Sequence, residues 1–231
     1  MKPNEKGANM KYRHELKHQI NLMDMLMLRQ RLSAIAKKDE HTIDGKYFIR
    51  SLYFDTSSDK ALREKIDGIN KREKFRLRIY NNDTSVILLE KKSKINGLCL
   101  KDRVELTREQ AQAIVDGEIS WMKDSNIPLV RELYCKITGQ GLKPRTIVDY
   151  TREPFIFEAG NVRVTLDYNI KTGLNSTDFF NPACVTIPTG EDIILEVKWD
   201  EYLPDIIRDI VQLPACRSGA FSKYAVCRIY G

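Results

Sequence analysis

The chain has 231 residues, 38 Lys and Arg against 32 Asp and Glu for a net charge of +6, and is 42% hydrophobic and 30% charged. That charged share exceeds the roughly 25% usual for soluble proteins, which argues against a membrane protein. The 8 Phe, 10 Tyr and 2 Trp supply core material that a disordered chain lacks. The longest apolar stretches, around Met25 to Leu28 and Val86 to Leu89, fall far short of the roughly 20 residues that span a bilayer. The N-terminus has no apolar segment of a secretory signal. Cys99, Cys135, Cys184, Cys216 and Cys227 are odd in number and form no CxxC, so they read as reduced thiols of a cytoplasmic protein. Residues 1–10 read as a flexible tail and 11–231 as a single domain.

In chain order, strands are expected at 12–20, 46–55, 73–80, 85–92, 99–106, 145–152, 162–168 and 193–199, each rich in Val, Ile, Leu, Tyr or Phe. Between them, Asn21 is placed to cap a helix running to about Lys38, with Met25, Leu28, Leu32 and Ile35 on one face. Ser57 or Ser58 is placed to cap a short helix ending near Gly68. Asn81-Asn82-Asp83 and Asn96-Gly97 have the chemistry of hairpin turns. Thr107-Arg-Glu-Gln110 fits a capping box. Pro128 and Pro204 stand at expected first helical positions. Many strands with helices inserted, and no regular βαβ alternation, favour an antiparallel α+β architecture.

Strand side chains alternate between faces. Lys74, Arg76, Arg78 and Tyr80 therefore share one face, opposite Phe75, Leu77 and Ile79. The same period groups Arg13, Glu15 and Lys17; Glu90 and Lys92; Lys101, Arg103 and Glu105; Arg163, Thr165 and Asp167; and Glu196 and Lys198. Two readings fit. The charged faces of a half-solvated antiparallel sheet alternate in this way, with cross-strand Glu–Lys pairs as modest stabilisers. Alternatively the sheet closes, and its charged faces line a water-filled tunnel suited to a chain of phosphates, with a few carboxylates to hold a hard divalent cation. Periodicity does not choose between them.

At these strands the sequence resembles the VTC (vacuolar transporter chaperone) domain, the polyphosphate polymerase family of the triphosphate tunnel metalloenzyme superfamily. The matching stretches are Tyr12-Arg-His-Glu-Leu-Lys17, Ser51-Leu-Tyr-Phe-Asp55, Lys74-Phe-Arg-Leu-Arg78, Leu89-Glu-Lys-Lys92, Val148-Asp-Tyr-Thr-Arg152, Val162-Arg-Val-Thr-Leu-Asp167, Leu195-Glu-Val-Lys198 and Phe221-Ser-Lys-Tyr224, in the family's order. The resemblance implies an antiparallel β-barrel tunnel (CYTH-like) with helices packed outside. It implies phosphate binding by Lys17, Arg76, Arg78, Lys92, Arg152, Arg163, Lys198 and Lys223. Glu196 would hold Mn²⁺ or Mg²⁺, with Glu15 and Glu90 as helpers. Arg50, Lys101, Arg103 and Tyr53 are further tunnel candidates, and Arg145 is either a tunnel residue or a strand start. Arg76, Arg78, Lys92 and Glu196 would carry catalysis.

The implied activity is a phosphotransferase that moves the γ-phosphate of ATP onto growing inorganic polyphosphate. Eukaryotic members are fused to other domains, membrane segments among them; this sequence departs from that pattern in showing neither, and a stand-alone soluble version is expected. Two other functions fit the same residues: a triphosphatase or tripolyphosphatase, and a non-catalytic binder of polyphosphate, inositol phosphate or nucleotide. His14-Glu-Leu-Lys-His18 matches the HExxH of zinc proteases, but falls on an expected strand rather than the helix that motif needs. The sequence has no Walker A or GxGxxG, and Lys91-Lys-Ser-Lys94 and Lys71-Arg72 lack the aromatic interleaving of a nucleic-acid patch, so they read as solvated turns and tunnel mouths.

Overall fold

A computed structural model describes residues 13–96, 98–213, 217–218 and 221–229. The expected tail at 1–10, Tyr12, the Gly97 half of the second turn and Cys216 lie outside these. The elements are β1 (His14–Ile20), α1 (Leu22–Ile35), β2 (Lys37–Lys38), β3 (Tyr47–Asp55), α2 (Lys60–Ile66), β4 (Arg72–Tyr80), β5 (Asp83–Ile95), β6 (Leu98–Leu106), α3 (Arg108–Asp116), α4 (Pro128–Gln140), β7 (Lys143–Phe157), β8 (Val162–Thr172), β9 (Ile187–Pro188), β10 (Ile193–Trp199), α5 (Asp205–Val211), β11 (Arg217–Ser218) and α6 (Lys223–Ile229). They form one antiparallel sheet in the order β11-β1-β10-β8-β7-β3-β4-β5-β6, with β2 beside β7 and β9 beside β8.

Among the described residues no hydrogen bonds join β6 to the β1 edge. The sheet nevertheless curls far enough for Lys92 on β5 to reach Glu15 on β1, Nζ to carboxylate oxygen 3.0 Å. It is a trough whose rims are tied by side chains. The strand alternation assigns its faces. Phe75, Leu77 and Ile79 point outward and are buried under Ala111 and Ile114 of α3 and Leu129, Val130 and Leu133 of α4. Phe155, Val164, Leu166, Leu195 and Val197 point outward under Met25, Leu28 and Leu32 of α1 and Ile207 and Val211 of α5.

A third cluster lies on the concave face. There Tyr53, Val148, Tyr150, Ile170 and Ile194 pack against Tyr224 and Cys227 of α6 and Ala61 of α2. One end of the trough is therefore filled by a helix rather than by water. The helices packed outside the sheet are as expected, and α6 is an addition on the concave side.

The capping boxes at Asn21–Asp24 and Thr107–Gln110 form, Pro128 opens α4, and Asn81 and Asn82 turn β4 into β5 with φ of 52° and 57°. Strands β5, β7 and β8 run longer than expected, and three helix boundaries differ from expectation. Helix α1 stops at Ile35 because Lys37 and Lys38 pair with Phe155 and Ile156 as a short strand. Pro204 is the N-cap of α5, not its first residue, and Leu213 lies beyond the helix end.

The third difference is at α2, which begins after Asp59 rather than after Ser57 or Ser58. Its first amides are met from further back. Lys60 N donates to Thr56 Oγ1 at 3.1 Å, and Ala61 N and Leu62 N donate to Asp55 at 2.8 and 3.2 Å. The Tyr224 hydroxyl donates to the same carboxylate at 2.5 Å. Asp55 is fully buried and so ties β3, α2 and α6 together. Asp55→Ala is expected to destabilise the fold by about 3 kcal/mol, because buried donors lose their acceptor. A lowered melting temperature with faster amide exchange in α2 and α6 would show it; an unchanged melting temperature would refute this role.

Candidate functional site

The concave face encloses a cavity of about 790 Å³. Fifteen Lys and Arg side chains line it against four carboxylates, Glu15, Glu73, Asp102 and Glu196. This decides between the two sequence readings: the charged strand faces turn inward together. Every phosphate-binding candidate named from the sequence lines this cavity: Lys17, Arg76, Arg78, Lys92, Arg152, Arg163, Lys198 and Lys223. Cross-strand register brings them together. Lys17 pairs with Glu196, Glu15 with Lys198, and Lys198 with Arg163. Arg152 pairs with Asp167, Tyr53 with Arg76, and Arg76 with Glu90.

Two charge clusters result. In the first, on β3 to β6, Arg76 donates through Nε to Glu90 at 2.7 Å and through an NH to the Tyr53 hydroxyl at 2.7 Å. Arg78 lies 3.6 Å from the same carboxylate and donates to Ser51 and Tyr150. Lys101 takes the other Glu90 oxygen. Burial pushes the Glu90 carboxyl up, but Arg76, Arg78 and Lys101 outweigh it and hold it far below the usual range.

In the second cluster, Glu15 meets Lys17 at 2.8 Å, Lys92 at 3.0 Å and Lys198 at 3.7 Å. Glu196 contacts Lys198, and also Arg152 and Lys17 at 3.6 and 3.8 Å. Arg152 forks onto Asp167 with two 2.6 Å hydrogen bonds, and Lys223 reaches the same carboxylate at 2.6 Å. Burial and Glu196 raise the Glu15 carboxyl, yet Lys17, Lys92 and Lys198 bring it to about 2. Burial raises Glu196 too, and Lys198, Lys17 and Arg152 overcome it, holding it well below the usual range. Both carboxylates are thus ionised at neutral pH.

The donor set fits a divalent cation of a particular kind. Among the described residues no group of three or more His, Cys, Asp or Glu forms an all-protein metal cage. Glu15 and Glu196, on adjacent strands and both ionised, suit a hard cation held by one or two carboxylates with phosphate oxygens and waters completing its shell. Glu90, the other expected helper, stands off the cavity wall: it is 1% exposed, with one oxygen on Arg76 and the other beside Lys101.

Other sequence candidates separate. Tyr53, Lys101 and Arg103 line the cavity. Arg50 does not: it points to the outer face, where it forks onto Asp149 at 3.0 and 2.9 Å. Arg145 lies 3.5 Å from Asp59 and off the cavity wall. His14 and His18 sit on a strand, His14 stacked on Trp199 at 5.3 Å, which rules out the HExxH helix. Lys74 and Lys65 on the wall were not named as site residues from the sequence, while Arg72 and Lys94, expected at turns and tunnel mouths, line it; Tyr150, also on the wall, and Ser51 accept from Arg78, and Asp167 accepts from Arg152. Lys74 was open to discovery, being in phase with Arg76. So were Asp167, in phase with Arg163, and Tyr150, in phase with Arg152; which partners they meet needed the register.

Three of these groups titrate near neutrality. Burial lowers Lys74 to about 8, with Lys92 and Arg76 adding to it, and lowers Lys101 to about 8, with Arg78 and Arg76 adding. Burial raises the Tyr53 phenol, but Arg76, Lys74 and Arg78 bring it to about 8. Below pH 8 both lysines are cations and the phenol is neutral; above it, positive charge is lost and negative charge gained at one place. Tripolyphosphate affinity is therefore expected to fall about tenfold between pH 7 and 9, with proton uptake on binding near pH 8. Calorimetry in buffers of different ionisation enthalpy measures both. A flat affinity across that range would refute the assignment.

A curled antiparallel sheet with helices packed on its outer face and a concave wall crowded with Lys, Arg and a few carboxylates defines the triphosphate-tunnel class of fold. The chain belongs to the VTC domain family, whose model matches residues 12–229. The solved structures agree on the fold. A candidate adenylyl cyclase from Hippeastrum with a dominant triphosphatase activity is 15% identical, with 94% of each chain covered and a TM-score of 0.55. A candidate adenylate cyclase from Bacillus halodurans is 14% identical over 89% of this chain and 94% of its own, with a TM-score of 0.51. No curated protein matches. No helix among the described residues is long and apolar enough to cross a membrane.

Proposed function

We propose that this chain is a metal-dependent polyphosphate polymerase that transfers the γ-phosphate of ATP onto a growing inorganic polyphosphate chain. The observation that carries the reading is that the cations run the length of the cavity rather than gathering at one end. Along β4 alone Arg72, Lys74, Arg76 and Arg78 all line the cavity; Arg152 pairs with Tyr47 and Arg163 donates to the Tyr47 hydroxyl, while Lys94 pairs with Arg72 at the other end of β4 and Lys65 stands on α2. A site for one triphosphate needs a single cluster; a chain needs a track. Family membership supports the same reading.

In this reading the terminal phosphate oxygen of the chain attacks the γ-phosphorus, the bond from γ-phosphorus to the β–γ bridging oxygen breaks, and ADP leaves with that electron pair. The acceptor phosphate is already ionised, so no side chain need act as base, and catalysis is positioning and charge neutralisation. Arg76, Arg78, Arg152 and Arg163 grip phosphate oxygens as forks; Lys17, Lys92, Lys198 and Lys223 supply point charges. Glu196, with Glu15 beside it, would hold Mn²⁺ or Mg²⁺, which when bound neutralises charge on the phosphoryl oxygens.

The chief rival is a triphosphatase, favoured by the activity of the Hippeastrum protein; it would use the same wall and admit water as acceptor. A non-catalytic polyphosphate binder is the third reading. The described cysteines Cys99, Cys135, Cys184 and Cys227 are free, in keeping with a cytoplasmic setting.

The test is a time course with ATP and Mn²⁺, run on a gel stained for polyphosphate with free phosphate assayed alongside. Lengthening chains with accumulating ADP support the polymerase. Free phosphate without chains moves the assignment to the hydrolase, and neither product with a ligand-induced rise in melting temperature moves it to the binder.

A further inference from the structure

The cavity wall carries its own counter-charges, and one of them stands behind the wall, apart from Glu15 and Glu196. Glu90 lies beneath the wall, 1% exposed, with one oxygen on Arg76 (2.7 Å to Nε) and near Arg78 (3.6 Å), and the other on Lys101. It is the carboxylate that opposes those three cations; the charges acting on Glu15 and Glu196 come from Lys17, Lys92, Lys198 and Arg152 instead. Lys101 is the loosest of the three, its side chain 43% exposed against 17% for Arg76 and 4% for Arg78.

We propose that Glu90 is a built-in competitor of the phosphate chain. A phosphate reaching this part of the wall draws Lys101, and one edge of the Arg76 fork, away from Glu90. Each contact formed therefore replaces an existing ion pair rather than satisfying a bare cation. That exchange limits the affinity of the wall for any single phosphate, which a chain must have if it is to move along the cavity and leave it. The inference rests on the reading that the cavity binds phosphate chains. It makes Glu90 a residue that tunes release, acting through Arg76, Arg78 and Lys101 and touching no substrate itself.

A purely structural Glu90 would give weaker binding when replaced, because its arginines would lose their orientation. A competitor gives tighter binding. Calorimetry of the full chain with sodium tripolyphosphate, free of divalent metal and at two ionic strengths, distinguishes them. Glu90→Gln is expected to lower Kd about tenfold and to steepen its dependence on salt, as one negative charge leaves a cationic wall. Turnover would show kcat and KM falling together as release slows.

The same change in a Lys101→Gln background removes both partners of one ion pair, so that two cations rather than three lose their counter-charge, and is expected to tighten binding relative to Lys101→Gln alone. That pair decides the matter if Glu90→Gln alone does not fold. Equal or weaker binding in the folded variants overturns the inference. Tight wild-type binding with no gain in the variants overturns it alone; a wild-type chain that binds no tripolyphosphate overturns the functional reading as well.

Discussion

Glu196→Gln is expected to lower Mn²⁺-dependent ADP release from ATP by about 10²- to 10³-fold, the range seen when one preorganised electrostatic contact to a developing charge is removed. The substitution keeps the shape of the side chain and removes the charge through which a divalent cation would be held. Metal-free tripolyphosphate binding should persist, because Lys17, Arg152 and Lys198, which face Glu196, all remain. The variant leaves those cations less compensated, so its melting temperature should drop and be restored by tripolyphosphate, which binds only the folded chain. Wild-type turnover in Glu196→Gln would remove this residue from the site. Loss of turnover and of binding together, in a folded protein, would make it a scaffold for the cations rather than a metal ligand.

Arg76→Lys is expected to raise the Kd for tripolyphosphate about tenfold and to lower turnover about 10²-fold, although the formal charge is unchanged. Arg76 spends its Nε and one NH on Glu90 and another NH on Tyr53, which fixes the plane in which its remaining donors face the cavity. A lysine ammonium is a single point on a flexible stem; it can keep the Glu90 contact or face a phosphate, but not both in a fixed plane. Binding and turnover equal to wild type would show that only charge matters at this position. A change in turnover without a change in Kd would place the fork in the transition state alone.

These two residues were within reach of the sequence because strand alternation is local. Arg76 and Arg78 share a face whatever the strand pairs with, and so do Glu196 and Lys198. The same rule separates two candidates that had been named together: Arg50 and Tyr53 are three apart on one strand and must face opposite ways, and the structure puts Arg50 on Asp149 outside and Tyr53 inside. The turn at Asn81–Asn82 and the boxes at Asn21 and Thr107 were equally legible, since each is closed by residues within four positions.

Partners across the sheet were not legible. Alternation says that Glu90 and Lys92 face one way; it does not say that Glu90 meets Arg76 from β4 and Lys101 from β6 while Lys92 crosses to Glu15, 77 positions away. Those pairings depend on register and on the curl of the sheet, which are set by side chains far apart in the chain. They divide two carboxylates with the same local pattern, Glu90 and Glu196, into a buried counterion and a cavity-facing metal candidate.

The seat of α6 within the trough belongs with them. Its Tyr224 was visible as part of a motif, but its stacking on Tyr53 at 5.0 Å and its bond to Asp55 are long-range packing. Which residues alternate, where the chain turns and which charges share a strand face follow from backbone geometry over a few residues, and were readable before folding. That the charged faces converge on one cavity, and which charge opposes which, came from the folded arrangement. Coulomb energy depends on distance in space, and the distances that matter here are between strands that are remote in the chain.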